Sequence, residues 1–194
     1  MPEAKPKPSL AARLGRPLLA GAAAGAAIAA PHSALADIFL QLDGIKGEST
    51  DEKFKDAIEL LSYTQSFRNT ASITAGGGGG AGRVQCGAVT VLKSIDKASP
   101  LLIEHVATGK HITKGVLSFR TSSDKGSNVY YTVTLTDVLV SSIDQTDNPD
   151  PGKIVEKLSL AAAKFKFEYT PLNSDGQSGA SVEFGFDCRT NAKF

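Results

Sequence analysis

Tryptophan is missing from this chain, and methionine occurs once. Neither charge sign dominates, since 21 basic residues stand against 20 acidic ones. That balance excludes a field-wide attraction to nucleic acid or to an acidic surface. No apolar run is suited to spanning a bilayer; the best, Leu18 to Ala30, is short and rich in Ala and Gly. Neither a Gly-x-Ser-x-Gly elbow nor a His-Glu-x-x-His pair occurs. A hydrolase nucleophile and a helical zinc site therefore both lack their usual signatures. Internal repeats are missing too, and helical patterning is confined to one passage.

That passage is residues 94–111. Ser99 suits an N-cap and Pro100 the first helical position, where its missing N–H costs nothing. Leu102 and Val106 are four apart and share a face. Gly109 stops the helix, and Lys110 and His111 fall where cations suit its C-terminal end. A single short helix in such a chain predicts a plug against a barrel or sandwich.

The rest is written in strands, with 19 glycines marking turns and loops. Ile38, Leu40 and Leu42 alternate with Phe39, Gln41 and Asp43, so the first strand is apolar on both faces at its start. Ala57 to Phe67 reads as one strand. Its even positions end in Ser62, Thr64 and Ser66, a hydroxylated face that lines either a wet channel or the outer solvent. Val84, Cys86, Ala88, Thr90 and Leu92 predict the inward face of the next strand. Val116 to Thr121 and Asn128 to Val140 pair across a Ser-Asp-Lys-Gly turn. In Ile154 to Tyr169 the apolar parity changes near Ala163, predicting a bulge or a change of sheet. Val182, Phe184, Phe186 and Cys188 share one face of the last strand. About seven or eight strands with regular turns predict an all-β fold, a two-sheet β-barrel or sandwich with one helix.

Residues 1–36 differ in kind. Arg13 and Arg16 precede the apolar run, and Ala34-Leu35-Ala36 is a small-x-small pattern before Asp37. This segment reads either as a secretory signal cut before Asp37 or as a flexible N-terminal arm. The domain proper is 37–194.

Candidate chemistry is sparse. Gly77 and Gly82 have the spacing of a phosphate loop, but Arg83 and Val84 stand where Lys and Ser/Thr are needed, and a strand follows. The run Gly76, Gly77, Gly78, Gly79, Gly80 predicts a long exposed loop. His105 and His111 lack metal-site spacing and read as surface or capping residues. Cys86 and Cys188 stand in register with apolar neighbours. As thiols they would pack as small hydrophobes. In an exported chain they could pair, closing a loop of about a hundred residues and stabilising by ~4–5 kcal/mol on chain-entropy grounds.

Several segments, in order, resemble the haemolysin-coregulated protein (Hcp) family, the tube protein of type VI secretion systems. Asp37-Ile-Phe-Leu-Gln-Leu-Asp-Gly-Ile-Lys-Gly-Glu-Ser49 resembles its opening strand and turn. Gly76 to Arg83 resembles a glycine-rich loop of some members. Asp96-Lys-Ala-Ser-Pro100 and Gly109-Lys-His111 bracket its helix. Asp137-Val-Leu-Val-Ser-Ser142, Glu156-Lys-Leu-Ser-Leu160 and Phe184-Gly-Phe-Asp-Cys-Arg-Thr-Asn191 resemble its later strands. The resemblance implies a homo-hexameric ring, with rings stacked into a tube that carries small effector proteins and works with spike and sheath proteins. It implies no enzyme, no cofactor and no metal. Gly76 to Gly80, Gly82 and Arg83 would reach neighbouring subunits or rings, and Ser62, Thr64 and Ser66 would face the lumen.

Two departures stand out. Tyr63-Thr64-Gln65 replaces an aromatic-Ser-aromatic run. The export-like leader is unusual, because tube subunits assemble in the cytoplasm before type VI secretion. If the leader is used, the chain is periplasmic or extracellular. It would then be an exported ring, a carrier or surface-binding module apart from the contractile sheath.

Overall fold

The computed structural model describes residues 36–70, 82–123, 126–147, 154–173 and 177–194. Period-2 patterning yields strands almost throughout. They are β1 (Ala36–Leu42), β2 (Ile58–Leu60), β3 (Ser62–Thr64), β4 (Phe67–Asn69), β5 (Val84–Cys86) and β6 (Val89–Ser94), then β7 (His111–Ser123), β8 (Gly126–Asp147), β9 (Ile154–Tyr169), β10 (Val182–Asp187) and β11 (Ala192–Lys193). The helix, α1 (Ser99–Thr108), lies between β6 and β7 and packs against β8. It is too short to cross a membrane, and no described helix is long and apolar enough to do so.

The main sheet runs β11-β10-β9-β8-β7-β1-β2, with β6 joined to β9 and β3 joined to β6, all antiparallel. The expected two-sheet barrel is corrected here, because the ladder does not close. Among the described residues β2 pairs only with β1 and β3 only with β6; the two edges meet through the chain at Leu61, whose N–H donates to the Leu92 carbonyl at 2.7 Å. The strand expected over Ala57 to Phe67 is thus three short strands. Ile58 and Leu60 point inward, Leu61 is exposed, and after this break Tyr63 takes the inward position. Val84 to Leu92 is likewise two strands, broken after Cys86. The inward face of the second is Val89 and Val91 rather than Thr90 and Leu92. At the break, the Gly87 N–H donates to the Ser66 carbonyl at 2.8 Å, and a Cβ there would lie 2.5 Å from Ser66 Oγ.

The parity change near Ala163 is neither the expected bulge nor a change of sheet, since β9 stays in the main sheet with its register unshifted there, and the change crosses three strands. Ile112 is buried before Thr113 and Leu117 after it. Leu135 is buried before Asp137 and Val138 after it, and Leu160 and Phe165 flank Ala163 in the same way. Thr113, Asp137 and Ala163 make no ladder pair, yet the register on either side is unchanged. Asp137 absorbs the turn at φ +55°, a conformation Asp tolerates better than most residues. The core therefore stays continuous across the parity change, from Leu40 and Ile58 to Val133, Leu158 and Phe165.

β1 is apolar on both faces, and each is covered. Leu40 faces the core. Phe39 stacks on Phe54 at 4.4 Å from the loop after β1, with the Arg120 guanidinium 4.8 Å above its ring. That loop folds back tightly: the Gly47 N–H donates to the Asp56 carbonyl at 2.8 Å. A Cβ at Gly47 would lie 2.3 Å from the Ala57 carbonyl oxygen. Gly47→Ala is accordingly expected to destabilise by about 1–3 kcal/mol, the scale of overpacking. A lowered urea midpoint would read this; an unchanged one would show that the loop swings away freely.

Ser99 does not cap the helix. Ala98 holds the N-cap position, without a side-chain bond, and Ser99 is drawn inward by a buried charge cluster. Lys93 on β6 faces Glu156 on β9 across the ladder, and both are fully buried. The Lys93 ammonium donates to Glu156 Oε2 at 2.6 Å and to Ser99 Oγ at 3.0 Å, and pairs with Asp96 at 2.8 Å. Its three protons thus have three acceptors. Ser99 Oγ donates to Glu156 Oε2 at 2.6 Å, and Gln145 Nε2 donates to Glu156 Oε1 at 2.7 Å.

Burial alone would push the Glu156 carboxyl up. The hydrogen bonds from Lys93, Ser99 and Gln145 outweigh it and hold the group below its ordinary value. A carboxyl depressed in the folded state stabilises fully above its unfolded value, near 4.3, and that contribution is lost as pH falls through the lower folded value. Urea midpoints should therefore drop as the solution is acidified below about pH 4, and less steeply in a variant with Glu156 and Lys93 both replaced by apolar residues.

Candidate functional site

The glycine run itself, Gly76 to Gly80, lies outside the described residues, as does Ala34; Gly82, Arg83, Ala36 and Asp37 are described. What can be followed is the stem of the long loop. β4 and β5 form a separate two-stranded sheet, with Phe67 opposite Cys86 and Asn69 opposite Val84. Thr70 extends it, as Thr70 Oγ1 both donates to the Arg83 carbonyl (3.0 Å) and accepts from the Arg83 N–H (3.1 Å).

A hairpin this short is marginal alone, and the chain fastens it to the turn after β10. Cys86 and Cys188 are joined as a disulfide, with Cα atoms 6.2 Å apart. The Arg83 guanidinium donates to the Arg189 carbonyl at 3.1 Å, and the Val84 N–H donates to Asn191 Oδ1 at 2.8 Å. From the inner side, the Phe67 ring meets Phe165 and Phe167 edge-on at 5.2 and 5.5 Å.

The anchoring turn is itself held. Asp187 Oδ1 accepts from the N–H groups of Arg189 (2.9 Å) and Thr190 (3.2 Å). Those bonds, the Thr190 N–H first, keep its carboxyl below the usual range despite partial burial. Beside it, Asp137 pairs with His111 Nδ1 at 2.6 Å and with the Arg189 guanidinium at 3.2 Å. The His111 hydrogen bond is the main reason the Asp137 carboxyl is lowered. The parity change in the sheet and the loop anchor thus share one ion cluster. His105, by contrast, is buried on α1 with Nδ1 at 2.8 Å from the Leu101 carbonyl.

Ser62, Thr64 and Ser66 are all exposed and alternate with Tyr63 and Gln65. Tyr63 turns inward, edge-on to Phe119 at 4.9 Å, and its hydroxyl donates to Gln65 Oε1 at 2.6 Å. Burial, with Tyr131 nearby, pushes the Tyr63 hydroxyl well above its ordinary pKa. This strand thus presents a row of uncharged hydroxyls backed by an aromatic layer. Sequence reasoning missed both the anchoring of the stem by Arg83 and Asn191 and the Lys93–Glu156 pair. The available signal was weak: Lys93 continues the parity of Val89 and Val91, where a charge reads as a strand end.

The family model described as "Type VI secretion system effector, Hcp" matches residues 39–169. Protein hcp1 of Pseudomonas aeruginosa is 31% identical over 158 residues, which are 81% of this chain and 98% of that protein. A solved structure described as a type six secretion system protein superposes with a TM-score of 0.75 at 27% identity, covering 81% of this chain and 99% of that one. The crystal structure of Hcp1 from Salmonella typhimurium gives a TM-score of 0.68 at 31% identity, covering 82% and 99%.

Proposed function

This chain belongs to the Hcp family of type VI secretion proteins, and from that premise we propose that it is a structural ring and tube subunit. Six copies close into a ring, rings stack, and the lumen carries small effector proteins outward, in company with spike and sheath proteins. The role is geometric, with no bond-making chemistry. The observation that carries this reading is the fastened loop stem. A disulfide and two hydrogen bonds hold the base of a glycine-rich loop against the closing turn, and the Phe67 ring packs edge-on against Phe165 of β9. That is the build expected of a segment that must reach a neighbouring copy from a fixed point. Gly76 to Gly80, Gly82 and Arg83 are then the contact between subunits or rings, where a backbone without Cβ atoms can approach closely.

Ser62, Thr64 and Ser66 line the lumen on this reading, because exposed hydroxyls without charge suit a wet wall that must release its cargo. Native mass and electron microscopy test the assembly: hexameric annular particles are expected, and a strictly single-chain species at high concentration would end the proposal. Thr64→Trp should leave rings intact but reduce co-purified effector severalfold; undiminished retention would remove these hydroxyls from the channel wall.

One observation favours a second reading, an exported ring working apart from the sheath. The Cys86–Cys188 bond is of a kind that persists in oxidising compartments. Residues 1–36 would then be a signal cut between Ala36 and Asp37, and the chain would be periplasmic or extracellular. N-terminal sequencing of the protein from its own cell decides this: a start at Asp37 supports export, and a start at the first residues refutes it.

A further inference from the structure

No spacer separates the expected cut from the fold. Water added across the Ala36–Asp37 peptide bond would leave a carboxyl on Ala36 and an amino group on Asp37. Both residues already belong to β1. Ala36 pairs with Thr121 of β7, Asp37 with Arg120 and Ile38 with Phe119. From Ile38 onward the other edge is taken as well, since Ile38 pairs with Leu60 of β2 and Phe39 with Glu59.

Side chains hold the same stretch. Asp37 Oδ2 accepts from the Arg120 guanidinium at 2.8 Å and 3.2 Å. That guanidinium also pairs with Asp51 and lies over the rings of Phe39 and Phe54. Ile38 packs against the main core, and Phe39 is buried.

A peptidase takes its substrate as an extended segment laid along its cleft, bonded through the main chain as an added strand would be. Such a cleft needs residues on both sides of the bond. Strand ends open at little cost, so Ala36 alone would come free readily. Ile38 is held harder: it must leave β7 and β2 together, and Asp37 must first leave Arg120.

We propose that the fold itself gates this cut: the Ala36–Asp37 bond is open to a leader peptidase only while β1 is unpaired, so copies that fold first keep residues 1–36 and copies held unfolded during export lose them. The inference rests on the signal reading above and adds what decides whether that signal is used. Folding and export then compete for each new chain, and the winner sets its compartment. The competition has a defined start, because β1 stays without its β7 partner until residue 121 has been made.

The test uses the full chain, folded, with its disulfide intact and residues 1–36 in place. It is treated with a bacterial leader peptidase in detergent micelles, and cutting is read by intact mass. The folded parent should be cut more than about tenfold slower than a chain that cannot fold, since proteolysis follows the open population. Phe165→Asp, a charge placed at a position 1% exposed and far along the chain from the bond, supplies that unfolded chain. Loss of the cooperative urea transition confirms it. A second variant carries Gly-Ser-Gly-Ser between Ala36 and Asp37. Its β1 still pairs from Asp37 onward while its cut lies outside the ladder, so it should be cut when folded, at close to the unfolded rate. A folded parent cut as fast as Phe165→Asp overturns the gating and leaves the signal reading in place. A folded spacer variant as resistant as the parent, with Phe165→Asp cut, also overturns it, because the block then lies outside β1. If even Phe165→Asp stays uncut, the signal reading falls and this inference with it.

Discussion

Lys93→Ala is expected to cost about 3–5 kcal/mol of folding free energy, a large share of the margin of an ordinary domain. The effect comes less from the lost attraction than from what stays behind. Glu156 is fully buried and receives bonds from Lys93, Ser99 and Gln145. Without the ammonium it must remain as an unpaired buried charge or take up a proton, and either choice is costly. Glu156→Ala should be as damaging, because the buried ammonium is then left with only Asp96 as a counter-charge.

Replacing both, as Lys93→Met with Glu156→Leu, should recover most of the loss, since similar-sized apolar residues need no partners. Ser99 would still have Asp96 within reach, whose N–H donates to it at 3.1 Å. Urea unfolding of the two single variants and the double, compared as a cycle, measures the coupling. If Lys93→Ala lost under 1 kcal/mol, or the double variant were no better than the singles, the buried pair would not have the energetic role assigned to it.

The second large effect concerns the disulfide. Cys86 and Cys188 are separated by 102 residues, and a link across a loop of that size removes unfolded-state entropy worth about 4–5 kcal/mol. Cys86→Ser with Cys188→Ser should lower stability by that order, and a reducing agent should do the same to the parent protein. The stem should loosen further than the rest. Without the bond, β4 and β5 are held to the closing turn by the Arg83 and Val84 hydrogen bonds and to β9 by the Phe67 ring contacts. Hydrogen exchange at Val84 and Arg83 should therefore quicken more than exchange in β8. Equal protection with and without the bond would mean that the hydrogen bonds and rings suffice.

Most strands were legible because alternation is a local signal, and Gly109 ends α1 in the left-handed conformation, φ +64°, that its sequence position predicts. The parity change near Ala163 was legible for the same reason. Where the reading went astray, a long-range partner had overruled local preference. Ser99 has good capping chemistry, yet a carboxylate 57 positions away holds its hydroxyl. Thr90 and Leu92 look like half of an apolar face, but Gly87 is pinched against Ser66 and the strand restarts on the other parity. The unclosed ladder could not be foreseen, because it depends on one residue, Leu61, leaving one neighbour for another. The loop anchors, Arg83 with Arg189 and Val84 with Asn191, join segments more than a hundred positions apart, and no local pattern encodes such pairings.

The line of residues Thr113, Asp137 and Ala163 has a practical outcome for anyone probing this protein by systematic replacement. On three adjacent strands it inverts which alternate positions tolerate change, without inserting or deleting a residue. A scan along β8 should find the sensitive sites odd-numbered up to Leu135, even-numbered at Val138 and Val140, and odd-numbered again at Ile143, beyond the register shift at Ser141. A spin label or dye placed by simple alternation from one half would sit on the wrong side in the other.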